Sequence, residues 1–408
     1  MLAAIAGAAS RGSGGVNAPD QAEKPYLILV SIDGFRWDYT RLFPAPAITG
    51  LAARGIRAEA LIPVFPTLTF PNHYTLATGL YPSRHGIVAN TFRDAATGKW
   101  YEYKQRSSAQ DGSWYGGEPV WVAAEKAGMV TAAYFFVGTE ADIQGIRPSY
   151  WRAYDKQVDG QARVNQVLKW LRKQPENRPH LVTLYFDDVD DNGHWYGPES
   201  PQLQAAISRV DGYVQHLLDG LSELPFGGSV SVVLVSDHGQ SGYDPDSSVL
   251  ILDQLADLSG IDAVDGGTYV FLYFEQPDIE RARSLKDRVN QAWRCGNAYL
   301  PGDLPPSWEV GDSSRNADVY LVANVGCAVL SSSSKKEKIT AGDHGWPPDA
   351  ADMAGIFVAA GPGIPSGVEI GPVRAVDVYP FLMQILELPI PSDIDSRPEI
   401  LLDLLNGR

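Results

Sequence analysis

Short, continuous apolar runs recur along the chain, and most of them end in acidic or glycine-containing sequence. Tyr26–Ile32 reads YLILVSI and stops at an Asp-Gly pair, and Leu181–Phe186 reads LVTLYF before an Asp-rich segment. Val230–Ser236 reads VSVVLVS and is followed by DHG, and Ala354–Gly361 reads AGIFVAAG. Apolar runs without alternation are typical of strands that are buried on both faces, as in a parallel sheet.

Helical patterns separate these runs. Apolar residues return every three or four positions in Ile48–Arg54, Val164–Arg172 and Leu203–Leu221. Strands that alternate with helices predict an α/β protein with a doubly wound, mainly parallel sheet.

The stretch 247–334 has a different character. It contains strand patterns at Thr268–Phe274 and in ADVYLVAN, a charged helical pattern around Ile279–Trp293, and a Pro-rich segment. It ends in the run SSSSKKEK, which predicts a solvated, mobile loop. We therefore predict a smaller inserted α+β subdomain at 247–334, between a first part of the α/β core at 25–246 and a second part at 335–408.

Residues 1–24 begin with the small, apolar sequence MLAAIAGAAS and continue with a Gly/Ser-containing segment. They are expected to be a flexible tail or the remnant of a secretion signal. The second reading leads to the expectation that the protein is secreted or periplasmic. No run reaches the roughly 18 to 20 apolar residues that a membrane span requires, so we predict none.

Composition narrows the possible partners. The 408 residues include 33 basic and 49 acidic side chains, a formal charge of −16, and 44% hydrophobic residues. This balance is typical of a globular protein and argues against long nucleic acids as partners, which need a basic face. The two cysteines, Cys295 and Cys327, are too few for a Cys-rich zinc module, although one disulfide is possible. The oligomeric state is left open.

Candidate chemistry lies where the predicted strands end. Ligands of open α/β sheets bind beyond the carboxyl ends of the strands, so side chains that follow different strands are expected to meet there. A single Asp in such a position is more often a turn former, but the combination of carboxylates and imidazoles without thiolates suits zinc or another divalent transition metal. The residues that follow the strands are Asp33, Asp190, His194, Asp237 and His238. His344 lies in a second DHG sequence, which precedes a predicted strand.

Thr69 is a candidate nucleophile. It lies in PTLTFPNHYTLATGLYPSRH, where Pro71 fits the first turn of a helix and places Thr69 at or just before the N-cap. Such a hydroxyl can simply cap the helix. Next to a metal cluster it lies where backbone N–H groups favour an anion, and a bound metal can activate it at neutral pH.

These motifs, taken together, resemble a known family. PTLTFPNHYTLATGLYPSRHGIVAN, LYFDDVDDNGHWYGP, SDHGQ and GDHGW are similar, in this order, to motifs of the nucleotide pyrophosphatase/phosphodiesterase (NPP) family, in particular its bacterial members, within the alkaline phosphatase superfamily. The resemblance extends from about Tyr26 to Pro380. It implies an alkaline phosphatase-like fold and a two-zinc phosphodiesterase.

The resemblance also implies roles for individual residues. One zinc would be held by Asp190, His194 and His344, and the other by Asp33, Asp237, His238 and the oxygen of Thr69. Asn90 matches the asparagine that donates a hydrogen bond to a phosphoryl oxygen. Tyr154 and Tyr185 match positions that contact the substrate in relatives, and Phe70, next to Thr69, is a further candidate to stack on a nucleobase.

The resulting hypothesis is an enzyme that hydrolyses small nucleotide diesters or pyrophosphates through a phosphothreonine intermediate and releases nucleoside 5′-monophosphates. Three alternatives stay open. The same fold could serve a lysophospholipid or choline phosphodiesterase, or a phosphonate hydrolase. A non-catalytic binding protein on a degenerate fold is a hypothesis of another class, although every expected ligand position is filled.

Overall fold

The computed structural model describes residues 15–244, 249–396 and 399–406, and the structural statements below concern these residues. The β-strands are β1 Tyr26–Ile32, β2 Ile56–Ala58, β3 Leu61–Ile62, β4 Thr91–Arg93, β5 Trp100–Glu102, β6 Thr131–Tyr134, β7 Tyr150–Arg152, β8 Leu181–Phe186, β9 Val230–Val235, β10 Ser241–Gly242, β11 Leu250–Ile251, β12 Ile261–Asp265, β13 Tyr269–Phe274, β14 Gly296–Tyr299, β15 Val319–Ala323, β16 Val329–Leu330, β17 Gly342–Asp343, β18 Phe357–Ala360, β19 Val368–Ile370 and β20 Val373–Arg374.

The α-helices are α1 Tyr39–Leu42, α2 Pro46–Ala53, α3 Thr69–Thr78, α4 Pro82–His85, α5 Arg106–Ala109, α6 Val120–Lys126, α7 Gly160–Leu171, α8 Asp188–Tyr196, α9 Pro201–Ser222, α10 Ile279–Ala292, α11 Val378–Ile385 and α12 Glu399–Asn406.

A central sheet of eight strands, in the order β19-β2-β18-β9-β1-β8-β6-β7, organises the molecule. Strand β1 pairs in parallel with β8 and β9, and β6 pairs in parallel with β7 and β8. This confirms the predicted α/β fold with a mainly parallel sheet. Strand β18 is the exception, because it runs antiparallel to both β9 and β2. Its apolar run indicated burial on two faces, which does not depend on strand direction.

Both faces of this sheet are covered by helices. Alternate residues of β1 enter two different apolar clusters, with Leu27 and Leu29 in one and Ile28 and Val30 in the other. Helices α3, α6 and α11 contribute to the first cluster, and α2, α7 and α9 contribute to the second. Full burial of such side chains stabilises by about 1.5–3 kcal/mol each, which explains why the strand sequences show no alternation.

A second, four-stranded antiparallel sheet has the order β12-β13-β15-β14 and packs with α10 around its own apolar cluster. Cys295 and Cys327 form a disulfide beside it. The expected subdomain start near 247 lies outside the described residues, and the division into a core and an insertion stays a prediction. Within the Ser/Lys run, Ser333–Lys338 forms a short 3₁₀ helix instead of the expected loop, and most of its side chains are exposed.

The amino-terminal prediction requires a correction. Residues 1–14 lie outside the described part of the chain, but 15–24 are not a free tail. Asn17 is buried, its amide donates to the carbonyl oxygens of Pro175 and Arg178 at 2.9 and 2.8 Å, and its Oδ1 accepts from the N–H of Val130. A polar side chain that satisfies three backbone groups explains why this polar segment packs. Among the described residues, no helix is long and apolar enough to cross a membrane.

Candidate active site

The carboxyl ends of three adjacent parallel strands bring the predicted site residues together. Asp33 directly follows β1, and Asp237 and His238 follow β9 after a single serine. Asp190 and His194 lie on α8, which begins two residues after β8. His194 was expected in a loop and lies instead near the end of this helix, where the i,i+4 spacing places it on the same face as Asp190.

The first ligand set consists of Asp33, Asp237 and His238. Nε2 of His238 lies 3.4 Å from Oδ1 of Asp33 and 3.1 Å from Oδ2 of Asp237. These two carboxylate oxygens are buried and have no hydrogen-bond partner among the described residues. Buried carboxylate oxygens without partners are costly, so this arrangement fits a cation.

The second ligand set consists of Asp190, His194 and His344. Nε2 of His194 lies 3.4 Å from Oδ2 of Asp190, and Nε2 of His344 lies 3.9 Å from Oδ1 of the same carboxylate. The two sets adjoin each other, because the rings of His344 and His238 stack with centroids 3.7 Å apart.

The backbone determines which ring nitrogen each histidine presents. Nδ1 of His238 bonds to the carbonyl of Gly239 at 3.0 Å, and Nδ1 of His194 bonds to the carbonyl of Gly342 at 3.0 Å. Nδ1 of His344 bonds in the same way to the carbonyl of Thr67 at 2.7 Å. Because a carbonyl can only accept, each Nδ1 carries the proton and each Nε2 lone pair is available for a metal ion.

Charge repulsion within the first set shows in opposite pKa shifts. Burial and the nearby charge of Asp237 raise the pKa of Asp33 well above its usual range. Burial also opposes ionisation of Asp237, but His238 and His73 outweigh this effect and lower the pKa of Asp237 well below the usual range.

In the second set, burial and the neighbouring His238 lower the pKa of His344 to about 3, so its ring is neutral, as a metal ligand requires.

Two adjacent sets of three oxygen and nitrogen ligands, without thiolates, fit two catalytic zinc ions with open coordination positions. The division into these sets is the one that the family resemblance implies. The identity and number of the metal ions stay predictions.

Thr69 lies directly beside the first set, with its Oγ1 3.5 Å from Nε2 of His238. The N-cap of α3 is Leu68, so Thr69 is the first helical residue and not the predicted cap. Pro71 could not define the start to one residue, because every N–H of the first turn lacks an intrahelical partner. The Thr69 hydroxyl nevertheless lies at a helix N-terminus, as predicted.

Asn90 is hydrogen-bonded to Phe70, the residue that follows Thr69. The N–H of Phe70 donates to Oδ1 of Asn90 at 2.9 Å, so the amide NH₂ of Asn90 is left to donate elsewhere. Both residues line a cavity of about 560 Å³ that also reaches Thr69 and members of both ligand sets.

The two predicted substrate tyrosines occupy different environments. Tyr154 is 39% exposed on the cavity wall, and its hydroxyl donates to Asp187 at 2.5 Å. Tyr185 also lines the cavity but is buried at 8% exposure, and its hydroxyl donates to Oδ2 of Asp33 at 2.5 Å. The geometry therefore makes Tyr185 a support for the Asp33 carboxylate more than an open stacking surface.

Sequence reasoning assigned His73 an ordinary hydrogen-bonded structural role, but it lies directly behind the site. Its Nδ1 bonds to the carbonyl of Thr69 at 2.9 Å and lies 3.2 Å from Oδ2 of Asp237, while its Nε2 accepts from Ser31 at 2.7 Å. The i,i+4 spacing from Thr69 was the only local signal for this position.

Further cavity residues were also missed. Tyr103 packs edge-on against Phe70 with ring centroids 5.3 Å apart, and Phe135 has a left-handed φ of 70° at the end of β6. Neither Tyr103 nor Phe135 lies in one of the four motifs that resemble the family. Lys104, Arg106 and Lys156 add cationic groups to the wall.

Comparisons with known proteins agree with this geometry. Residues 27–347 match the family described as Type I phosphodiesterase / nucleotide pyrophosphatase. An uncharacterised pyrophosphatase/phosphodiesterase of Schizosaccharomyces pombe is 33% identical over 89% of this chain and 77% of its own length. Human ectonucleotide pyrophosphatase/phosphodiesterase family member 1 is 32% identical over 92% of this chain, which spans only 41% of that protein.

Solved structures give the same result. Murine ectonucleotide pyrophosphatase/phosphodiesterase 5, solved as an inactive threonine-to-alanine variant in complex with AMP, is 28% identical with a TM-score of 0.86. The similarity covers 94% of this chain and all of that one. These relatives are eukaryotic, and a bacterial source for the chain stays a prediction. The match over most of the chain establishes that the protein belongs to the type I phosphodiesterase/nucleotide pyrophosphatase family.

Proposed function

We propose that the protein is a zinc-dependent nucleotide pyrophosphatase/phosphodiesterase that releases nucleoside 5′-monophosphates through a phosphothreonine intermediate. The observation that carries this proposal is the position of the Thr69 hydroxyl, at a helix start and 3.5 Å from a ligand histidine, in front of two adjacent sets of metal-ligating side chains.

Charge counting favours a diester. Three ligand aspartates and an ionised Thr69 contribute −4, and two zinc ions would contribute +4, so the sum is −4 + 4 = 0. A monoanionic diester suits a neutral site better than a dianionic monoester does. When bound, the zinc ions would supply Lewis-acid chemistry that favours the ionised threonine and offsets charge on the phosphoryl and leaving oxygens.

The chain's own residues perform the following steps in this proposal. Thr69 Oγ1 forms a bond to phosphorus as the bond to the leaving oxygen breaks, and the leaving group departs with the electron pair. Asn90 donates its NH₂ to a phosphoryl oxygen, in the orientation that its bond to Phe70 imposes. Water then forms a bond to phosphorus, the Thr69 ester bond breaks, and a proton from that water restores the hydroxyl.

The cavity wall offers recognition of a nucleobase. Phe70, Tyr103 and Tyr154 present aromatic groups to the cavity. Stacking of a base on an aromatic side chain is worth about 1–3 kcal/mol. The AMP complex of the murine relative supports a nucleotide as the ligand of this cavity.

The nucleophile is tested by Thr69→Ala with p-nitrophenyl thymidine 5′-monophosphate as the substrate. We expect loss of turnover, because no other group replaces the hydroxyl, while Thr49→Ala keeps the wild-type rate. Thr49, on α2, is a matched control because its hydroxyl donates to the carbonyl of Ala45, the N-cap residue of that helix, away from the cavity lining. Equal rates for wild type and Thr69→Ala would refute the assignment.

The substrate class is tested by kcat/KM for ATP, a dinucleotide, lysophosphatidylcholine and a simple phosphate monoester on one preparation. The nucleotide proposal expects the first two to be preferred. A preference for lysophosphatidylcholine would favour the lipid phosphodiesterase alternative, and absence of all turnover in a zinc-loaded sample would favour a binding protein.

Secretion or a periplasmic location is proposed as well. The disulfide between Cys295 and Cys327 supports it, because such bonds persist in oxidising compartments. Mass spectrometry of the unreduced protein should find the two cysteines linked. Two free thiols in protein purified without reductant would contradict this proposal.

A further inference from the structure

Tyr154 makes one hydrogen bond through its ring hydroxyl and another through its backbone, although it is 39% exposed. Its backbone N–H donates to Glu140 at 2.5 Å, and its hydroxyl donates to Oδ2 of Asp187 at 2.5 Å. Exposed aromatic side chains usually sample several rotamers, so the bond from the hydroxyl restricts the ring to one wall of the cavity, while the bond from the backbone N–H holds the loop that carries it.

Asp187 is the N-cap residue of α8, but its side chain makes no capping bond to the helix. Aspartate at this position normally accepts from the first-turn N–H groups. Here Oδ1 accepts from Arg163 at 2.9 Å and Oδ2 accepts from Tyr154. The carboxylate thus forgoes a local stabilising interaction and connects two more distant side chains.

Arg163, on α7, determines where this carboxylate lies. Arg163 is 2% exposed, and its guanidinium donates to the carbonyl of Tyr185 at 2.9 Å, to that of Val158 at 3.0 Å, and to Asp187. It also lies 4.9 Å from the ring centroid of Phe135, the residue with left-handed backbone. A buried, fully engaged arginine is rigid, because its planar fork leaves few alternative arrangements.

We propose that Asp187, held by Arg163, is a positioning residue that fixes the ring of Tyr154 as one wall of the nucleobase site. Because Asp187 is also the N-cap residue of α8, it ties this wall to the helix that carries Asp190 and His194. The inference rests on the proposed nucleotide function and deepens it. The preference for a substrate with a nucleobase over a diester without one would depend on the buried ion pair of Asp187 and Arg163.

The test compares two substrates of the full, zinc-loaded chain. One is p-nitrophenyl thymidine 5′-monophosphate, and the other is bis(p-nitrophenyl) phosphate, which has no nucleobase. The measured quantity is the ratio of kcat/KM for the first to kcat/KM for the second. We expect Tyr154→Phe and Asp187→Asn each to lower this ratio about tenfold, mainly through a higher KM for the nucleotide ester, since each removes one charge-assisted hydrogen bond.

The double variant with Tyr154→Phe and Asp187→Asn distinguishes a positioning role of Asp187 from a general loss of structure. If Asp187 acts through the Tyr154 hydroxyl, the double variant should lose no more of the ratio than either single variant does. Additive losses would overturn the proposal. Glu223→Gln is the control, because it removes the exposed partner of Arg172 at the end of α7 and should leave the ratio at its wild-type value.

The outcomes distinguish the two proposals. A high wild-type ratio that Tyr154→Phe leaves unchanged would overturn the positioning role alone, and so would equal losses on both substrates. A wild-type ratio near one would overturn the nucleotide function and the positioning role with it. If Asp187→Asn does not fold, Tyr154→Phe decides, with the inhibition constant of AMP as a second readout that should rise about tenfold.

Discussion

The two ligand sets of the active site differ most in burial. The side chains of Asp33, Asp237 and His238 are 3%, 0% and 0% exposed, whereas those of Asp190, His194 and His344 are 17%, 25% and 7% exposed. The first set follows strands of the central sheet, and most of the second lies on a helix that borders the cavity.

With one buried and one more accessible set, a single site can combine rigidity with access for ligands. The buried set is anchored in the core beside Thr69, the proposed nucleophile, which would have to be held in one geometry. The second set faces the space that a substrate, a leaving group and water would enter.

Removal of metal by a chelator should abolish activity and should do so in two phases. The more exposed second set should lose its ion first, because solvent and chelator reach it more easily, and the buried first set should lose its ion more slowly. Zinc content and turnover, followed together during dialysis, check this expectation. Loss of both ions in one phase would contradict the contrast between the two sets.

Asp237→Asn should lower kcat/KM by more than about 100-fold, because even a residue that only supports a ligand is typically worth 10–100-fold. The variant should also bind less than one zinc ion per chain at the buried set, while the second set keeps its ion. Asp303→Asn is the matched control, since it removes only an exposed ion pair with Lys286. Retention of activity within about tenfold would remove Asp237 from the ligand set.

His73→Ala should cost about 10–100-fold in activity and in zinc affinity at the buried set, as expected for a residue behind a ligand. His73→Asn should recover part of the loss, because its amide can replace Nδ1 as a donor to the Thr69 carbonyl. If alanine and asparagine lower thermal stability and activity to the same extent, His73 has only a packing role.

Asp343→Asn should have the smallest effect, about fivefold or less in zinc affinity at the second set. Its Oδ1 lies 3.6 Å from Nδ1 of His194, which is too long for a hydrogen bond, and the Gly342 carbonyl already binds that nitrogen. Isothermal titration with zinc checks this value. A loss as large as that of His73→Ala would show that the second set also depends on a supporting side chain.

The sequence predicted the site best where chemistry follows a strand directly. Asp33, Asp237 and His238 could be placed because a short apolar run and the residue after it are local features. The direction of a strand could not be predicted in the same way, because β18 has the same apolar character as β9 but runs antiparallel to it. The roles of all these residues in binding and catalysis stay predictions.

Features that depend on distant contacts escaped prediction. Tyr185 supports Asp33 across 152 positions of sequence, and Arg163 meets Asp187 only because α7 packs beside the end of β8. Residues 15–24 look like a tail in sequence but pack, because Asn17 finds three backbone partners from other segments.

The amino-acid sequence was enough to predict the α/β class, the ends of the buried strands, the order of the candidate metal ligands and the family. Each of these depends on residues that are close along the chain. The packed structure was needed to show which candidate ligands are buried, which ring nitrogens face the candidate metal sites, and which side chains hold the cavity wall. The physical reason is that burial, ring orientation and hydrogen-bond partners depend on how segments far apart in sequence pack against each other.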